Sequence, residues 1–291
     1  MKGFVDSIYF LGNPIFQLNT PKAPRNLRRI SYGQHNDQQM DAFLPLLNES
    51  AGLPILVYFH GGGWISGDIR NYDGICAALS LNGFLTFNVN YRLAPRHKFP
   101  VQLQDVACAI DWISRHAEEY GGDSSRFFLA GDSAGAQLVS WYASALQKTE
   151  LLEKAGITDA IESKHLRGVL LFYGVYDFDS ILNSNFPFIS RYAKCFLGGD
   201  PELFRENSKL ASPINHITSS LPPVFLCAGE RDGLFRQTIE YAKALENKGV
   251  ACTRVLLPKE HFASHGFLYF SWLRPTKVAF EKAGAFLKGL I

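Results

Sequence analysis

The chain has 291 residues, 47% of them hydrophobic and 19% charged, and a formal net charge of +2. That is ordinary soluble globular composition; the small charge argues against a nucleic-acid or polyanion partner, and no run reaches the roughly 18 apolar residues of a membrane-spanning helix. The five cysteines (Cys76, Cys108, Cys195, Cys227 and Cys252) are scattered and form no C-x-x-C pair, so neither a zinc site nor a disulfide framework is expected.

Residues 1–23 carry Phe4, Ile8, Phe10, Leu11, Ile15 and Phe16 at weak helical spacing. Asp6 and Asn13-Pro14 interrupt the segment and no cleavage-like site follows, so it reads as a lid, a partner surface or a tail, and not as a signal peptide. A cytoplasmic protein is the expectation. Pro21 and Pro24 mark a linker. Two strands follow, Asn26 to Ser31 and Gln39 to Leu46, joined by a polar turn. Leu53 to Phe59 is a continuous apolar run, too short for a helix, which reads as a strand buried on both faces. It runs into His60-Gly61-Gly62-Gly63-Trp64.

Asp73 to Asn82 reads as a helix and Phe84 to Val89 as a buried strand, followed by Tyr91-Arg92-Leu93-Ala94-Pro95. Leu103, Val106, Ala107, Ile110 and Ile113 place a helix between Pro100 and Tyr120. Asp105 and Asp111 on that helix are read as solvated. Phe127 to Ala130 is another short apolar strand, and Ala136 to Leu146 is helical. Between them stands Gly131-Asp132-Ser133-Ala134-Gly135. This is G-x-S-x-G in the strand-to-helix context of a nucleophile elbow, where the two glycines make room for a sharp turn and Ser133 is lifted clear of the sheet.

Leu166 to Val175 is a buried strand. Asp177 to Ile217 is too long for a plain crossover and rich in aromatics and breakers, so it reads as a functional insertion. Pro223 to Ala228 is a strand ending in Gly229-Glu230-Arg231-Asp232. A helix over Thr238 to Lys248, a last strand over Ala251 to Leu257, a loop with His261 and His265, and a helix from Val278 to Ile291 complete the chain. Alternating strands and helices predict one domain over residues 1–291, with a mostly parallel sheet of about eight strands and helices on both faces.

A serine hydroxyl needs a histidine to take its proton and a carboxylate to orient that histidine. Ser133, Asp232 and His265 all follow strands and occur in the order Ser, Asp, His, the chain order of the α/β-hydrolase arrangement. Asp177 and Glu230 are the rivals for the acid, and His261 for the base. Asp132 is read as a buried hydrogen-bonding carboxylate, and His60 as a residue holding the glycine loop. Three successive glycines after a strand suit an oxyanion hole. The expected donors are the N–H groups of Gly61 and Gly62, with that of Ala134.

HGGGW, YRLAP, GDSAG, GERDGL and HGF, in that order, resemble the hormone-sensitive-lipase-like (bacterial family IV) esterases of the α/β-hydrolase superfamily, from about Leu53 to the C-terminus. The resemblance implies Ser133 as nucleophile, His265 as general base and acid, Asp232 as its orienter, and a small cap built from residues within 1–23 and 177–217. Two positions depart from the family pattern: Arg96 follows YRLAP where an acidic residue is usual, and Gly233-Leu234-Phe235-Arg236-Gln237 lacks a second acid. The short segment ahead of the linker suggests an open site that admits small esters.

Trp64, Phe178, Phe186, Phe188 and Tyr192 are candidates for an apolar substrate pocket, with ordinary cap packing as the other reading. The expectation is therefore a serine carboxylesterase acting on short-chain esters through an acyl-enzyme, needing no metal or organic cofactor. An aryl amide hydrolase with the same machinery and a non-catalytic ligand-binding homologue are the alternatives. A homodimer through the last strand is a further expectation, since an apolar edge strand invites pairing.

Overall fold

The computed structural model describes residues 25–45 and 52–291. The expected cap element within residues 1–23 lies outside them. Eight strands form one sheet in the order β1-β2-β4-β3-β5-β6-β7-β8. They are β1 Arg25–Ser31, β2 Gln39–Leu44, β3 Leu53–Phe59, β4 Leu85–Val89, β5 Gly122–Asp132, β6 Leu166–Phe172, β7 Val224–Gly229 and β8 Cys252–Leu257. β1 pairs with β2, and β2 with β4, antiparallel; the remaining neighbours are parallel. The helices are α1 Asp73–Ser80, α2 Val101–His116, α3 Ala134–Ala145, α4 Thr149–Lys154, α5 Phe178–Ile181, α6 Ile189–Leu197, α7 Pro201–Ala211, α8 Phe235–Asn247 and α9 Arg274–Lys288.

The continuous apolar runs are explained by two cores. Ile55, Val57 and Phe59 of β3 pack on one face of the sheet with α2, α3, α8 and the insertion. Leu56 and Tyr58 point to the other face, against α1 and α9. Side chains alternate along a strand, so a strand with a core on each side needs apolar residues at nearly every position. This is the α/β-hydrolase fold with a helical cap. The parallel strands all end on one edge, and the loops after β3, β5, β7 and β8 meet there.

β5 begins at Gly122, earlier than the apolar run suggests, because its polar start still reaches Leu53 of β3 before the register shifts. The insertion between β6 and β7 folds as α5, α6 and α7 and packs on the sheet side that carries α3. Its root is fixed by Gln237 of α8, whose Oε1 accepts the N–H groups of Tyr176 and Asp177 at 2.8 Å each and whose Nε2 donates to Ser180 Oγ at 2.7 Å. Asp105 departs from the sequence expectation. It is fully buried, and its carboxylate accepts from the Arg92 side chain and backbone and from Gln38 Nε2. A helical position looks solvated only while its partner on another segment is unseen.

Candidate active site

The elbow is built by close approach. Ser133 has φ 50° and ψ −115°, a conformation few side chains adopt, and its N–H is held by the Phe172 carbonyl at 2.9 Å. A Cβ at Gly135 would lie 1.9 Å from the carbonyl oxygen of Phe59, and one at Gly131 would lie 2.6 Å from the carbonyl carbon of Gly135. Both glycines are therefore required by backbone contact.

Ser133 Oγ lies 2.9 Å from His265 Nε2, and His265 Nδ1 lies 2.8 Å from Asp232 Oδ2. The other carboxylate oxygen of Asp232 accepts the Leu234 N–H at 2.8 Å. The Asp232 side chain is 1% exposed and that of His265 22%. A carboxylate facing Nδ1 places the ring proton there and leaves Nε2 free to accept from the serine hydroxyl. Tyr173 and Phe186 pack edge-on against the imidazole, at 4.9 and 4.6 Å between centroids. The rival residues are elsewhere. Asp177 caps α5 by accepting the N–H groups of Asp179 and Ser180, and His261 sits in the short turn Lys259–His261.

The glycine loop differs from expectation at one position. The Gly61 N–H donates to Asp132 Oδ1 at 2.8 Å and to Tyr72 OH at 3.0 Å, so it is turned away from the pocket and is not available as an oxyanion donor. Gly62 and Gly63, with positive φ of 117° and 60°, border the pocket beside Ser133. Among the described residues, no acceptor takes the N–H of Gly62, Gly63 or Ala134. Ala134 opens α3, where the helix N-terminus favours negative charge. His60 is fully buried and stacked on Tyr91; its Nδ1 reaches the Gly61 carbonyl at 2.7 Å. Burial lowers its pKa and keeps it neutral. It holds the loop, as expected.

Asp132 is buried beside the serine, accepts from Tyr58 OH at 3.0 Å, and is pushed up to about 6 by desolvation, against the pull of Tyr58 and Gly61.

The pocket measures about 90 Å³ and is lined by Trp64, Val175, Phe186, Ile189, Tyr192, Leu234 and Tyr269 around Ser133 and His265. This is small beside the sites of drug-sized ligands. Of the five aromatic candidates, Trp64, Phe186 and Tyr192 line it. Phe178 does not: it is fully buried against Trp64 and Phe196 as cap packing. Phe188 does not either, being 68% exposed at the start of α6. Val175, Ile189, Leu234 and Tyr269 escape sequence reasoning because an apolar pocket wall and a core residue look alike. Leu234, two residues after Asp232, and Tyr269, four after His265, carry the one signal available, proximity to a reactive residue.

The BD-FAE family model matches residues 40–248. Over 275 residues the chain is 32% identical to carboxylesterase NlhH of Mycobacterium tuberculosis, covering 90% of this chain and 81% of that protein. It is 31% identical over 209 residues to the probable carboxylic ester hydrolase LipM of the same organism, and spans about half (48%) of LipM's length. A crystal structure of esterase B from Lactobacillus rhamnosis superimposes with a TM-score of 0.86 over 99% of this chain and 96% of that one; at 22% identity this shows the shared fold. The chain thus belongs to the BD-FAE family and is an α/β-hydrolase-fold relative of bacterial carboxylesterases.

Proposed function

We propose that this chain is a serine carboxylesterase that hydrolyses short-chain esters through an acyl-enzyme. The observation that carries the reading is the hydrogen-bonded series from Ser133 through His265 to Asp232 at the floor of a small apolar pocket. Ser133 Oγ attacks the ester carbonyl while His265 Nε2 takes its proton, and Asp232 stabilises the imidazolium. Negative charge develops on the former carbonyl oxygen, and the N–H groups of Gly62, Gly63 and Ala134 are the donors that meet it. The imidazolium returns its proton to the departing alkoxide oxygen, and the alcohol leaves. Water then attacks the acyl-enzyme by the same route, releasing the acid and restoring the serine. The motif order HGGGW, GDSAG, HGF supports placing the chain in the hormone-sensitive-lipase-like branch.

NlhH is named a carboxylesterase, which agrees with this reading. The small pocket favours short acyl chains. β8 lies at the edge of the sheet, and a homodimer through it is part of the proposal; sedimentation showing monomer alone at every concentration removes that part.

The test is hydrolysis of p-nitrophenyl acetate, butyrate, octanoate and laurate by the wild type and by Ser133→Ala. Fast turnover of the short esters, lost in the variant, is expected. Equal activity in both proteins, or none in either, overturns the reading.

A further inference from the structure

Asp132 is a costly residue to bury. It is 1% exposed, and taking a carboxylate out of water costs several kcal/mol. A neutral amide or hydroxyl would accept the same hydrogen bonds more cheaply, so a charge at this position calls for a specific role.

Its contacts point to one. Asp132 stands immediately before Ser133 at the end of β5, and its Oδ1 accepts from the Gly61 N–H and the Tyr58 hydroxyl. Both carboxylate oxygens face the loop: a Cβ at Gly61 would lie 2.5 Å from Oδ2. The Gly61 N–H is shared with Tyr72 OH, and that hydroxyl bonds to Tyr269 OH. Tyr269 lines the pocket and follows His265 on the same loop. One buried network therefore joins the nucleophile's neighbour, the glycine loop and the histidine loop.

We infer that Asp132 is a positioning residue: by holding the Gly61 N–H, its carboxylate sets the glycine loop so that Gly62 and Gly63 present their N–H groups beside Ser133, and it holds that N–H most firmly when ionised. This deepens the esterase reading and rests on it. A charged acceptor makes a bond about twice as strong as a neutral one, so protonation slackens the loop at its first residue. The titratable groups around Asp132 and its partner Tyr58 are Cys76 of α1, Tyr72 ahead of α1, Tyr173 after β6, and His265 and Tyr269 of the histidine loop. Only His265 among them can carry positive charge. With Asp132 pushed up to about 6, its two forms exchange within an ordinary assay range.

The test is the pH dependence of kcat/KM for p-nitrophenyl butyrate with the wild type, Asp132→Asn and Tyr58→Phe. Protonation of Asp132 adds a partial loss to the full one that any histidine base suffers when protonated, so the wild-type acid limb should be steeper than a logarithmic slope of 1. In Asp132→Asn the slope should fall to 1, with kcat at pH 8 down by about tenfold and KM within about threefold. Tyr58→Phe conserves charge and shape but removes a donor that favours the carboxylate. Its acid limb should keep a slope steeper than 1 and move to higher pH, and this decides the matter should the asparagine variant fail to fold. A wild-type slope of 1, an unchanged kcat in Asp132→Asn, or an unmoved limb in Tyr58→Phe each overturn the role of Asp132 while leaving the esterase reading standing. No hydrolysis by the wild type overturns both.

Discussion

Gly135 in the first turn of α3 and the Phe59 carbonyl at the end of β3 touch so closely that no side chain fits between them, a Cβ there standing 1.9 Å from the oxygen. The obstacle is backbone of a central strand, which cannot swing aside. Gly135→Ala must push α3 off the sheet, and α3 begins one residue after Ser133. Overpacking of this kind costs about 3 kcal/mol, so a fall in Tm of roughly 5 °C is expected for a chain of this length. Esterase activity should fall further than folded protein does, since the Ser133 Oγ moves relative to His265. Calorimetry alongside an active-site titration checks both; a Tm within about 2 °C of the wild type would show that the contact is not rigid.

Arg92 and Asp105 join the segment after β4 to α2 through bonds from the guanidinium and from the Arg92 N–H at 2.8 Å, with Gln38 Nε2 adding a third partner at 2.8 Å. Asp105 is fully buried. Removing one member of such a pair leaves the other without its counter-charge, which costs about 3–5 kcal/mol. Asp105→Ala is expected to lose that much in chemical unfolding, while Asp111→Ala, whose partner Arg115 is 63% exposed, should lose less than about 1 kcal/mol. Equal losses in the two variants would contradict the assignment.

Asp105 also shows where sequence reading stops. Strands, helices and their order are legible because each element's own residues fix its period: β3 and β7 are apolar throughout because a core lies on each side. Ser133, Asp232 and His265 are legible because each follows a strand in a recognisable order. What is not legible depends on partners far along the chain. Asp105 looks solvated until Arg92 and Gln38 arrive from other segments. Gly61 looks equivalent to Gly62 until the Asp132 carboxylate, 71 positions away, takes its N–H. Phe178 and Phe186 look alike, yet one is packed under Trp64 and the other faces His265.

The pKa of Asp132 has a consequence for stability separate from catalysis. In the unfolded chain its carboxyl titrates near 3.9; in the fold it is pushed up to about 6. Between those values the folded protein binds the extra proton, so this group's contribution is full below about pH 4 and is lost as pH rises through about 6. The loss is on the order of 3 kcal/mol. Asp132→Asn cannot ionise, so its stability relative to the wild type should rise across that window and level off above it. Urea midpoints at pH 4.5 and pH 7.5 measure the change; a difference between the two proteins that does not vary with pH would rule out the shifted ionisation.

Tyr192 forms part of the pocket wall on the cap side. It projects from α6 of the cap onto the glycine loop, where a Cβ at Gly63 would meet its ring at 2.8 Å, and its ring lies 6.5 Å from that of Phe186. The two rings stand over opposite sides of the site, Tyr192 by Gly63 and Phe186 by His265. Tyr192→Ala removes the ring from the wall without touching a hydrogen bond to Ser133, His265 or Asp232. Each methylene that gains cover from water contributes about 0.8 kcal/mol, and octanoate exceeds butyrate by four. Even partial cover predicts a rise of at least about tenfold in the octanoate-to-butyrate ratio of kcat/KM, with acetate turnover little changed. Phe178→Ala is the comparison: buried under the same cap but outside the pocket, it should lower Tm and leave the ratio near its wild-type value. A ratio that moves equally in both variants would mean that the cap as a whole, and not the Tyr192 ring, limits chain length.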